Sequence, residues 1–179
     1  LTSKNYQAAY EALSEIPTPD TKMQETQQYL RYQLGMDAFF QGKMQDASHW
    51  MTQVIEQAKQ SSEHKTEAYY VRAESAYRLH QHEACLEDIK QYEAQKNSKN
   101  SPNRLNAKYL KGYAQSNQQQ IDAAEETFRQ YLAEADKHSS TYADACNRLG
   151  DCLFYGRQFD KAIAIYQEVI EHNTAGVDY

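Results

Sequence analysis

The sequence predicts an all-α fold, a right-handed superhelical solenoid of antiparallel helix hairpins, and three observations lead there. A small residue is followed twelve positions on by another small residue and sixteen positions on by a bulky one, four times over: Gly35, Ala47, Met51; Ala73, Cys85, Ile89; Gly112, Ala124, Phe128; and Gly150, Ala162, Tyr166. These sets start 38, 39 and 38 residues apart, and self-similarity at such a period marks stacked supersecondary units. Apolar residues within each copy recur at helical spacing. Composition agrees: a chain of 179 residues with 40% hydrophobic residues and a mean hydropathy of −0.93 suits a stack whose neighbouring units share one core.

Each element follows from that period. Residues 1–17 read as a lone second helix, because Tyr6, Ala9, Leu13 and Ile16 stand one period ahead of the second helix that holds Ala47. Hairpins are expected at about 21–61, 64–97, 102–138 and 140–173, all within a single unit spanning 1–179. In the last copy Tyr142, Cys146, Leu149, Gly150 and Leu153 form one stripe of a first helix. A turn is expected at Tyr155-Gly156-Arg157-Gln158, and Phe159, Ala162, Ile163, Tyr166, Val169 and Ile170 then share a face of the second. The small residues let two backbones cross closely while the bulky residue fills the space beside the crossing. Leu1 is not an initiating methionine and Thr174 to Tyr179 reads as a link into a further repeat, so the chain is expected to be a piece of a longer protein.

Asn147-Arg148-Leu149-Gly150, with Ala162 and Tyr166, resembles the tetratricopeptide repeat (TPR) family, whose motif wants Leu-Gly in its first helix, then Ala and an aromatic in its second. Leu34-Gly35 with Ala47 is similar. The middle copies place Arg72 and Lys111 where the motif has leucine, which leaves a register shift of one residue open there. Val54, Tyr92, Tyr131 and Val169 replace the family's small residue late in the second helix, and a period above the usual ~34 implies longer second helices or longer links. The long period also resembles TPR proteins of the bacterial envelope, which implies a bacterial origin and an envelope or periplasmic location.

Composition and motifs narrow the function. The net charge of −6 and a pI near 5.5 argue against a nucleic-acid footprint, which needs clustered Lys and Arg. The densest basic stretch, Lys96, Lys99 and Arg104, lies in an Asn/Ser-rich link ahead of Pro102 and reads as solvated linker. No apolar run approaches the ~20 residues of a membrane span. Three cysteines do not make a disulfide framework, and Cys146 and Cys152, about 240° apart around one helix, read with Cys85 as buried structural thiols. That usage leans toward a reducing compartment. No phosphate loop, nucleophile elbow or zinc-protease signature is present, and the pairs Glu125-Glu126 and Glu87-Asp88 read as solvated faces. His80 and His82 flank a predicted turn without a third ligand at a recognised spacing. The chain is therefore read as non-enzymatic, without cofactor or metal.

The candidate site is the inner face of the first helices. In one register it comprises Tyr32, Met36 and Phe39; Tyr70, Glu74 and Tyr77; Tyr109, Tyr113 and Ser116; and Asn147, Asp151 and Phe154. Phe40, Arg78, Asn117 and Tyr155 flank them. Aromatic and Arg side chains anchor protein interfaces, whereas an aromatic ladder can equally pack one first helix on the next; the expectation is that this ladder does both. TPR domains that grip heat-shock chaperone tails use Lys and Asn where Tyr32 and Met36 stand, which disfavours that partner class. The resulting expectation is a protein-interaction scaffold binding a peptide or partner protein, with a sensory segment of a larger signalling protein as the alternative and self-association through the ends as a third.

Overall fold

The computed structural model describes residues 3–58 and 63–174, and their side chains from 5 to 171. Nine α-helices occur among the described residues: α1 (Ser3–Ser14), α2 (Thr21–Phe40), α3 (Met44–Gln57), α4 (Glu63–Arg78), α5 (His82–Ala94), α6 (Arg104–Asn117), α7 (Ile121–Leu132), α8 (Ser140–Tyr155) and α9 (Phe159–Thr174). No strand occurs among these residues. The expected link into a further repeat lies mostly outside them, since residues 175–179 are not described.

The helices pair as α2/α3, α4/α5, α6/α7 and α8/α9, with α1 packed on α2. This is the all-α helical-repeat solenoid expected of a TPR-like chain. The backbone divides into two compact units, Leu1–Asn103 and Arg104–Tyr179. The division falls at the Asn/Ser/Pro-rich link, part of which winds into a short 3-10 turn, Ser98–Asn100, rather than a fully solvated loop. Ser98 is buried there, its hydroxyl donating to the Gln95 and Glu93 carbonyls.

The sixteen-residue spacing builds the hairpin crossings. A Cβ added to Gly35 would sit 2.7 Å from Met51 Cε, and one on Gly112 would sit 2.8 Å from the Phe128 ring. Tyr166 lies closer still over Gly150. Ala73, Cys85 and Ile89 are wholly buried, so the second hairpin keeps the same register despite Arg72 in the leucine position. The reason is electrostatic. Arg72 makes a two-pronged pair with Asp88 of α5 at 2.6 and 2.8 Å and reaches Thr52 of α3 at 3.0 Å, tying three helices through a guanidinium fork.

Each hairpin turns through one residue in the left-handed region: Gly42, His80, Gln119 and Arg157, with φ between 57° and 76°. They recur with the repeat period. The following N–H reaches back five residues, from Lys43 to Ala38, Gln81 to Ala76, Gln120 to Gln115 and Gln158 to Leu153, at 2.8–2.9 Å. These are Schellman-type caps. In the last turn the glycine stands one position too early: Gly156 has φ −74° and Arg157 takes the left-handed place.

Candidate interaction surface

In the first unit the register residues of α2 line up along one side. Tyr32 is half-buried with its ring 4.7 Å from that of His64, and burial, then the charge of Glu67, raise its hydroxyl to about 12. Met36 and Phe39 are half-buried, while Phe40 is 76% exposed with its ring 5.9 Å from Phe39. Arg78 of α4 lies 4.7 Å above the Phe39 ring and pairs with Glu74. Its charge over an aromatic face is favourable where water is partly excluded.

The neighbouring tyrosines are used differently. Tyr70 is only 8% exposed; its ring tilts against Tyr92 and its hydroxyl donates to Glu74 at 2.7 Å. Both ends of that side chain are therefore taken up inside the second hairpin, and burial with Glu74 beside it pushes its pKa well up. Tyr77 is half-buried, its ring 5.3 Å from that of His82.

In the second unit Tyr109 and Tyr113 stand 5.0 Å apart at ring centres, and both donate to one Asp144 carboxylate oxygen on α8, Tyr109 at 2.6 Å. Tyr113 also packs edge-on against Phe128 and carries Arg148 above its ring. These two tyrosines bolt α6 to α8, so their rings serve packing between first helices. Arg148 pairs with Asp151 at 2.8 Å, and Asp151 accepts from Tyr166 at the same distance. Asn147 is half-buried, whereas Phe154 and Tyr155 are 56% and 72% exposed. Phe154 rests edge-on against Phe159.

Asp144 was not singled out by the sequence reading. A signal existed: Asp144 follows Tyr109 by 35 residues, as Glu67 follows Tyr32, so an acid recurs one repeat beyond the tyrosine. Serine and asparagine at Ser116 and Asn117 interrupt the aromatic positions that Phe39-Phe40 and Phe154-Tyr155 occupy at equivalent points.

The three cysteines are buried and unbridged, as expected, and burial raises their thiols to about 12 for Cys85 and about 11 for Cys146 and Cys152. They are inert at neutral pH. Among the described residues no group of three or more His, Cys, Asp or Glu side chains is placed to hold a metal ion. No helix among them is long and apolar enough to cross a membrane.

No protein-family model matches the chain, and no curated protein matches it. Solved structures do. A crystal structure of MamA superposes with a TM-score of 0.73 at 16% identity, over 97% of this chain and 90% of that one. BtubC from P. vanneervenii gives 0.73 at 14% identity, over 98% and 74%. YrrB, described as a TPR protein with an unusual peptide-binding site, gives 0.67 at 14% identity, over 97% and 82%. At these identities the likeness is one of fold, and the fold is that of TPR proteins.

Proposed function

We propose that this TPR-fold chain is a non-enzymatic scaffold that docks a peptide or partner protein on the open side of its first helices. In the first unit Phe40, Phe39, Met36 and Arg78 would provide the anchors; in the second, Phe154, Tyr155 and Asn147. Tyr32 and Tyr77 flank the first set, while Tyr70 in the first unit and Tyr109 with Tyr113 in the second are engaged in packing within their own units. One observation carries the reading: large aromatic rings stay exposed at equivalent first-helix ends, Phe40 in the first repeat and Phe154 with Tyr155 in the last. Exposed aromatics beside an Arg are the residue types that dominate interface energetics. That YrrB, of the same fold, is described as having a peptide-binding site is consistent with this use.

A photo-crosslinking residue placed at Phe40 or Tyr155 should capture a partner identifiable by mass spectrometry. Phe40→Ala and Tyr155→Ala should then weaken that partner by about 2 kcal/mol each, roughly thirtyfold, with the melting temperature unchanged. Retained affinity in both variants would sink the proposal.

Self-association is a second reading, favoured by the outer stripe of α9. Phe159, Ile163 and Ile170 are 50%, 53% and 62% exposed. Their equivalents one repeat earlier include Ile121 and Leu132, which pack into the core of the second unit.

A further inference from the structure

Phe159 and Ile170 of α9 have counterparts at steps of 38 or 39 residues: Ile121 and Leu132 in α7, His82 and Glu93 in α5, and Met44 and Ile55 in α3. Where a first helix packs on the pair, both residues are apolar and covered. α4 lies on α3, with Met44 and Ile55 buried, and α8 lies on α7, with Ile121 and Leu132 packed against the core. α5, the last α-helix of the first unit, is polar at these places, and its Glu93 is exposed. α9 is the last helix of the second unit, yet it is apolar at both, and both are exposed. Ile163 is exposed between them, and Phe154 extends the stripe from α8 with its ring 5.3 Å from that of Phe159. A face with the composition of a covered one thus stands in water, which is unfavourable in proportion to its apolar area.

The stripe reads the same in both directions. Phe159, Ile163, Tyr166 and Ile170 follow at intervals of four, three and four, so a second copy laid antiparallel sets Phe159 on the partner's Ile170 and Ile163 on the partner's Tyr166. Antiparallel helices also oppose their macrodipoles favourably, and the two-fold axis relating them closes the pair. With Phe154 and the exposed flank, two such stripes bury on the order of 1,000 Å², the least that a specific interface needs. The flank is acidic. Asp160 and Glu171, both exposed, lie about 90° around the helix from the stripe and opposite the buried Ala162 and Val169. In the antiparallel pair each Asp160 comes beside the partner's Glu171, and such flanking charges set strength and orientation in paired helices.

We propose that this chain forms a two-fold dimer in which α9 packs antiparallel on α9 of a second copy, with Phe159 against the partner's Ile170 and Asp160 beside the partner's Glu171. The inference rests on the self-association reading and specifies its geometry. The second copy supplies the apolar cover that α4 gives α3 and α8 gives α7 within the chain. Its acidic flanks repel, which keeps the association weak.

Disulfide trapping tests the arrangement, because the three native thiols are buried and do not compete. A mixture of Asp160→Cys and Glu171→Cys chains should give a cross-linked heterodimer on mild oxidation. Neither variant alone should cross-link, since each new thiol stands at least about 13 Å along the helix from its own counterpart. Asp160→Lys, which turns the repulsion into attraction, should tighten the dimer at least about threefold at low salt in sedimentation equilibrium. Cross-linking of either variant with itself would mean parallel helices and overturn the proposal, as would a dimer that forms but is neither trapped by the mixture nor tightened by Asp160→Lys. Those results leave self-association standing. A monomer at every concentration, in the native chain and in Asp160→Lys alike, would overturn both.

Discussion

Glycine at a hairpin crossing does different work according to what covers it. Gly35 lies under the flexible end of Met51, whereas Gly112 lies under the Phe128 ring, which is wholly buried and cannot step aside. Alanine gains about 1 kcal/mol of helix propensity over glycine, and overpacking a rigid core costs about 1–3 kcal/mol. Gly35→Ala should therefore be close to neutral, and Gly112→Ala should lower stability, by up to about 2 kcal/mol, in denaturant titration. The tyrosines at Asp144 give a pH signature. Burial, with the hydrogen bond to Asp144, raises Tyr113 to about 12, and burial with the same bond lifts Tyr109 higher, while an unfolded tyrosine titrates near ~10. A group whose folded pKa is raised contributes stability in full below the unfolded value and loses it as pH climbs to the folded one. Melting temperature should fall between about pH 10 and 12, and less steeply in Tyr113→Phe.

At the scale of elements, the second helices begin without side-chain caps at Lys43, Gln81 and Gln120, because the turn itself ties each start to the preceding helix. Three of the four hairpin turns, at His80, Gln119 and Arg157, force a side chain into the left-handed region, which costs roughly 1–2 kcal/mol, partly offset by the entropy a glycine would lose. Gln119→Gly and Arg157→Gly should each stabilise the chain by about 0.5–1 kcal/mol, whereas Gly42→Ala should cost about as much, read as shifts in the urea midpoint. Opposite signs at Gly42 and Arg157, positions the repeat makes equivalent, would show that the cap geometry and not the residue type sets the effect.

Across the whole molecule, stability in a repeat protein is close to a sum of units and their nearest-neighbour faces. Large apolar side chains that stay exposed are then a place for association. Phe159, Ile163 and Ile170 of α9 are 50%, 53% and 62% exposed. Light scattering should show concentration-dependent association that Ile163→Glu abolishes without loss of helical signal. A monomer at all concentrations would remove that reading and leave partner docking at the first-helix ends as the proposed use.

The period of 38 to 39 residues was enough to determine the hairpins, the crossing partners Gly35 with Met51 and Gly112 with Phe128, and the register of the second repeat, because helical packing repeats with the sequence that makes it. The fate of each tyrosine was not legible. Tyr32, Tyr70 and Tyr109 occupy one register position, yet Tyr70 is buried against Tyr92, Tyr109 is bonded to Asp144 and Tyr32 remains half-open, since each ring's surroundings come from neighbouring helices. The pairing of Arg72 with Asp88 belongs to the same class. Whether a cation finds its acid depends on which side chains the fold brings within about 3 Å, and only the tertiary structure decided that.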